Sequence, residues 1–137
     1  MTTSKVSSQR CPPRMSDPID VAKQCFLAYA NSDRAAIERI IADDFCFTSP
    51  LDNQIDRQTY FERCWPNHER ITAFDFIALS CCGDRVFVTY EADSKAGKRF
   101  RNTEVLTVRA GQVVAAEVYF GWNLPHKAEP GGYVASE

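Results

Sequence analysis

The hydrophobic period of this chain changes once, at Ile71, and that change decides most of what it can fold into. Ahead of it, apolar residues recur at helical spacing. Asp17-Pro18 reads as an N-cap with proline at the first helical position, and Asp20 adds a carboxylate to the first turn. Val21, Ala22, Cys25, Phe26, Ala28 and Tyr29 then predict a first helix to about Ala30. Ser32 or Asp33 caps a second, shorter helix that carries Ile37, Ile40 and Ile41. A short strand follows at Phe45–Ser49, ended by Pro50. Asp56 caps a third helix with the apolar stripe Tyr60, Phe61, Cys64 and Trp65, and Pro66 stops it.

Beyond Ile71 the period is two. Four runs read as strands: Ile71–Leu79, Arg85–Asp93, Arg99–Arg109 and Gln112–Gly121. Short turn clusters separate them at Gly83-Asp84, Ser94–Lys98 and Arg109-Ala110-Gly111. Helices first and a four-strand meander afterwards give the α+β class, with the helices on one face of a mostly antiparallel sheet.

A length of 137 residues suits one domain, expected over 17–124. Residues 1–16 are polar and broken by Pro12-Pro13, so a disordered leader is expected, with Met15 as an alternative start of translation. The tail 125–137 holds too much glycine and proline to extend a strand. A net charge of −2 gives no drive toward nucleic acid, and no apolar run approaches the ~18–20 residues of a membrane span. The six cysteines form no C-x-x-C pair, and only His68 and His126 are available as histidine ligands, so neither zinc nor another cofactor is expected. The N-terminal residues lack the apolar stretch of a signal peptide, so none is expected; reduced thiols and a cytoplasmic location are the expectation, with Cys46 and Cys64 as buried, inert thiols.

The last hairpin can be read closely. A two-residue Ala110-Gly111 loop would place alanine at positive φ. A three-residue Arg109-Ala110-Gly111 loop needs positive φ only at Gly111. That register pairs Val108 with Gln112, Leu106 with Val114, Glu104 with Ala116, Asn102 with Val118 and Phe100 with Phe120. One face then holds these residues, and it carries a single carboxylate, Glu104. Among Phe100, Leu106, Ala116, Val118 and Phe120 its charged form is desolvated, which raises its pKa and suits it to general acid chemistry or to hydrogen bonding as a neutral acid. The plainer alternative is a glutamate at a pocket mouth, solvated or bonded to Asn102 or Tyr29.

The element order, with Phe-Leu-Ala-Tyr-Ala-Asn-Ser-Asp (26–33), Ala-Asp-Asp-Phe-Cys-Phe-Thr-Ser-Pro (42–50) and Ala-Gly-Gln-Val-Val-Ala-Ala-Glu-Val-Tyr-Phe-Gly (110–121), resembles the nuclear transport factor 2-like superfamily over about residues 17–122. More narrowly it is similar to the SnoaL-like branch, which includes polyketide cyclases and ketosteroid isomerase. The resemblance implies a cone-shaped fold, three helices packed into a curved sheet around an apolar pocket, and a homodimer through the sheets. It is weak for activity, because the fold hosts enzymes, binding modules and transport factors.

Carried over residue by residue, the isomerase's oxyanion-hole acid falls on Glu104. Its helix-one tyrosine falls on Cys25, a poor donor, with Tyr29 one turn later. Its proton-shuttling aspartate falls on Ser49, whose hydroxyl cannot do that work unaided. The Asp-Arg-Asp set of limonene epoxide hydrolase has no counterpart, since Arg101 lies on the opposite strand face from Glu104. A cyclase needs a shaped cavity and one acid/base, which Glu104 can supply. The expected ligand is therefore a small, largely apolar molecule, lined by Cys25, Tyr29, Phe47, Ser49, Trp65, Val88, Tyr90, Asn102 and Phe120, with isomerase-, cyclase- or dehydratase-type chemistry at Glu104. The alternative is a non-catalytic protein-interaction module that fills the cone with Phe26, Phe47 and Trp65 and uses a mixed outer face of Phe87, Val105, Val113 and Tyr119. An open cavity of some hundreds of Å³ separates the two.

Overall fold

The computed structural model describes residues 17–131. Expectations for the leader and for Met15 lie outside them. The capping residues set the helix starts. The Asp17 carboxylate accepts from the Ile19 amide at 2.9 Å and opens α1 (Pro18–Ala30). Asp33, rather than Ser32, caps α2 (Arg34–Ile40) through the Ala36 amide. Asp56 caps α3 (Arg57–Arg63), accepting from Thr59 at 2.9 Å, and this bond holds its carboxyl below the usual range. α3 ends before Trp65, and a 3₁₀ helix, Trp65–Arg70, follows it. Pro66 is tolerated there because the first turn of a helix needs no N–H from it.

The sheet has six strands in the order β2-β1-β6-β5-β4-β3. β3 (Ile71–Cys82), β4 (Arg85–Ser94), β5 (Arg99–Arg109) and β6 (Gln112–Leu124) form the expected meander. β1 (Ile41–Ser49) joins β6 in parallel, and β2 (Asp52–Asp56) pairs antiparallel to β1 at the edge. β2 gave no sequence signal, because Asp-Asn-Gln-Ile-Asp alternates nothing apolar and the strand is mostly exposed.

The β5–β6 register corrects the expected one. Arg109 pairs with Gln112, so the loop has two residues, and both Ala110 (φ 52°) and Gly111 (φ 76°) take positive φ. Right-handed strand twist favours such a turn enough to hold alanine there. The extra residue sits inside the strand instead: Val108 pairs with Val113 and Thr107 with Ala115, leaving Val114 as a bulge. Downstream, Leu106 therefore faces Ala116, Glu104 faces Val118, Asn102 faces Phe120 and Phe100 faces Asn123. Val113 turns inward and is fully buried, and so leaves the outer face, where it had been expected. A second irregularity leaves Gly121 between Phe120, opposite Asn102, and Trp122, opposite Arg101.

Val86, Val88, Ala92, Leu106, Val108 and Val113 meet Val21, Ala22, Phe26 and Ile37 from the helices in one core. Phe26 sets its edge against Phe74, Phe76 and Tyr90, with ring centres 5.0–5.5 Å apart. On the far face, Arg99 and Arg101 tie across the strands to Glu91, Asp93 and Asp75. Cys25, Cys46, Cys64 and Cys82 are free thiols, whereas Cys81 is disulfide-bonded, against the expectation of reduced thiols throughout. Among the described residues no helix is long and apolar enough to cross a membrane.

Candidate functional site

The helices do not close the wide end of the curved sheet, and a cavity of about 880 Å³ remains between α1, α3, the 3₁₀ helix and strands β1, β4, β5 and β6. Of the residues expected in it, Cys25, Tyr29, Phe47, Ser49, Tyr90, Asn102, Glu104 and Phe120 line it. Val88 and Trp65 do not. Val88 is Glu104's cross-strand partner, but the core closes over it completely. Trp65 is turned beneath the 3₁₀ helix, stacked on His68 at 4.3 Å and against the edge of Tyr29. His68 also pairs with the Ser32 hydroxyl at 2.7 Å.

Glu104 is placed by the inward pleat of β5. Its side chain opens only to the cavity and is otherwise surrounded by protein. Desolvation of its charged form pushes its pKa up to about 7, although the bond from Tyr90 works the other way. That bond, Tyr90 hydroxyl to Oε2 at 2.8 Å, is the carboxyl's partner, rather than Asn102 or Tyr29. Asn102 stands one step back: its Nδ2 donates to the Tyr90 oxygen at 3.3 Å, and its Oδ1 accepts the Gly121 amide at 3.1 Å. The irregularity at Gly121 thus orients Asn102, which orients Tyr90, which bonds Glu104.

The residues carried over from the isomerase do other work here. Tyr29 donates its hydroxyl to the Cys64 carbonyl at 3.0 Å, so only its ring faces the cavity. Burial and, secondarily, the Glu104 charge push the Cys25 thiol up to about 12, and it stays protonated. The Ser49 oxygen accepts the Leu51 amide at 3.1 Å and serves the β1–β2 turn.

Tyr60, expected as part of the α3 apolar stripe, supplies what those residues lack. Its ring packs against Phe45, Phe47 and Phe61. Its hydroxyl has no hydrogen-bond partner among the described residues. No described buried side-chain polar atom is left unsatisfied, so that hydroxyl opens on the cavity. Burial raises its pKa well above the usual tyrosine value, with smaller contributions from Cys25, Tyr29 and Glu104, which keeps it a neutral donor. The periodicity could not have marked it, because a helical stripe does not say which member meets the sheet and which meets a void.

The site is thus an aromatic funnel ending on a carboxyl that is about half protonated near neutral pH, a neutral phenol and a thiol. A group in that state can give or take a proton without a large driving force either way. Among the described residues no group of His, Cys, Asp and Glu has the arrangement to hold a metal ion.

Comparisons with known proteins agree with this architecture. No curated protein matches the chain. Among solved structures, a candidate ketosteroid isomerase from Kribbella flavida DSM 17836 superposes with a TM-score of 0.68 at 15% identity, covering 88% of this chain and 91% of that one. An LEH-like epoxide hydrolase from M. tuberculosis gives 0.65 at 17% identity, covering 76% and 82%. A candidate polyketide cyclase from Sinorhizobium meliloti gives 0.63 at 17% identity, covering 72% and 93%. Identities this low establish the fold, not the activity. The model of the SnoaL-like domain matches residues 22–116. That span runs from α1 through the middle of β6 and includes Glu104, Tyr90 and Tyr60. The chain is a member of the SnoaL-like domain family, with the nuclear transport factor 2-like fold.

Proposed function

We propose that the cavity binds a small, largely apolar molecule and that Glu104 performs cofactor-free acid/base chemistry on it, of the isomerase, cyclase or dehydratase type. One observation carries this reading: a carboxyl with a pKa of about 7 faces an open cavity of about 880 Å³. That volume lies within the range of ligand sites, ~300–1,000 Å³. A chain that used its cone only as a scaffold would have filled it, yet Phe26 and Trp65 pack into the core and leave the space open. In this reading Glu104 transfers the proton, Tyr90 holds its carboxyl in place, and Tyr60 donates to oxygen on the bound molecule as charge develops.

The test is a thermal-shift screen of wild type and Glu104→Gln against apolar small molecules. A ligand at a hundredfold excess over its Kd stabilises by about 2.7 kcal/mol, a shift of several degrees for a domain of this size. The expected result is a set of related hits whose shift shrinks in the variant. No hit across a broad library would contradict the reading and favour the interaction module.

The outer sheet face still presents Phe87 and Tyr119 to solvent, although Val105 is buried and Val113 points inward. We assign this face to a second copy of the chain, an apolar centre with a charged rim. Light scattering at micromolar concentration is expected to give the mass of two chains; the mass of one would refute the assignment.

A further inference from the structure

The charge of the cavity is unevenly placed. Its charged lining residues are Asp52, Arg63, Arg70 and Glu104. Glu104 lies deep. Asp52 is held by Arg63, Nη2 to Oδ1 at 2.7 Å. The Arg70 guanidinium has no ion pair or hydrogen bond with any described residue. Its main chain, by contrast, is fixed, because its carbonyl accepts the Lys95 amide at 2.8 Å and ties the 3₁₀ helix to the β4–β5 turn. Arg70 is exposed, as are Asn67 and Asn123 beside it in the lining, so these three belong to the mouth. Neither asparagine side chain has a hydrogen-bond partner among the described residues. Between mouth and floor the walls are Phe74, Phe100 and Phe120, with Trp122 at the rim.

An unneutralised guanidinium on an anchored main chain, at the open end of an apolar funnel, matches a ligand with an apolar body and one anionic group. We infer that the cavity takes amphipathic monoanions, apolar carboxylates or sulfonates, with the anionic end on Arg70 at the mouth and the apolar body directed down toward Glu104. The orientation follows from the charge at the two ends of the cavity. The floor would repel an anion whenever Glu104 is ionised, and the mouth carries excess positive charge. The inference rests on the reading of the cavity as a ligand site, and it names the class of ligand.

A matched pair of fluorescent probes separates the two. 8-Anilinonaphthalene-1-sulfonate and N-phenyl-1-naphthylamine share an aromatic body, and only the first carries an anion. Both are titrated into wild type, Arg70→Gln, Lys23→Gln as a cation removed from α1, and Val118→Trp, which fills the cavity. The expected result is that Arg70→Gln weakens the sulfonate about tenfold, a modest factor because Arg70 is exposed, and leaves the neutral amine unchanged. Lys23→Gln alters neither, and Val118→Trp weakens both. Raised salt should also cut the wild-type preference for the sulfonate. Equal effects of Arg70→Gln on the two probes, or none on either, would overturn the anionic ligand while leaving the cavity reading intact. Failure of the neutral amine to bind wild type, or its indifference to Val118→Trp, would overturn the cavity reading and this inference with it.

Discussion

Replacing Gly121 by alanine is expected to destabilise the domain by about 3 kcal/mol, a fall of roughly 10 °C in Tm for a chain of this length. A Cβ at this position would lie 2.2 Å from the Arg101 carbonyl oxygen and 3.1 Å from its carbonyl carbon. Both are backbone atoms of the neighbouring strand, so no side chain can move aside and β5 and β6 must part locally. The damage should not stop at stability. Gly121 donates its amide to Asn102, and Asn102 donates to the Tyr90 hydroxyl that bonds Glu104. The variant should therefore also lose ligand-induced stabilisation measured at a temperature where it remains folded. Gly97→Ala is the comparison: its Cβ meets nothing within 4 Å, and only its positive φ of 79° opposes the change, so about 1 kcal/mol is expected. Chemical denaturation of the three proteins measures both. Equal losses for the two substitutions would contradict the close strand approach at Gly121.

Glu104→Gln should stabilise the protein above neutral pH and leave it unchanged in acid. The folded chain holds the Glu104 proton up to about pH 7, against an ordinary value of 4.5. Between those two values the native state binds more protons than the unfolded state, so wild-type stability falls as pH rises through the window. Below it, both states carry the proton and burial of the neutral acid costs little. Above it, the native state must bury a charge. The shift corresponds to at most about 3 kcal/mol, and because the carboxyl faces an open cavity rather than the packed core about 1–2 kcal/mol is the expected gain for the amide variant at pH 8. Glutamine keeps the shape and still accepts from Tyr90, so the comparison isolates the charge. Urea denaturation at pH 4.5, 6 and 8 gives the three points. A variant less stable than wild type at pH 8 would mean that the carboxylate is paired and stabilising.

Much of this was legible in the sequence, and the reasons differ by element. The helix starts were legible because Asp17, Asp33 and Asp56 are side-chain acceptors placed where free amides need them. The inward face of β5 was legible because alternation along one strand depends on that strand alone, and so Glu104 could be singled out. Its partners on β6 could not, because register depends on where an extra residue is absorbed. The chain absorbs it at Val114 rather than in the loop, and Ala110 accepts positive φ instead. Nor could the edge strand β2 be seen, since it buries no apolar face.

The site divides the same way. Residue type predicted a desolvated acid, and the fold supplies the environment for it. Residue type did not separate Val88, sealed in the core, from Tyr90 two residues on, whose hydroxyl reaches the cavity. Nor did it separate Tyr29, satisfied by a backbone carbonyl, from Tyr60, which is not. Those distinctions belong to where the helices stop covering the sheet. A one-dimensional pattern holds no record of that boundary.

The central claim is that Glu104 is poised between acid and carboxylate at neutral pH. The most direct measurement is the pH titration of its side-chain carboxyl carbon by NMR in ¹³C-labelled protein, assigned by its loss in Glu104→Gln. A midpoint near pH 7 is the predicted result; a midpoint below about 5, in the ordinary range for a solvated glutamate, would contradict the account.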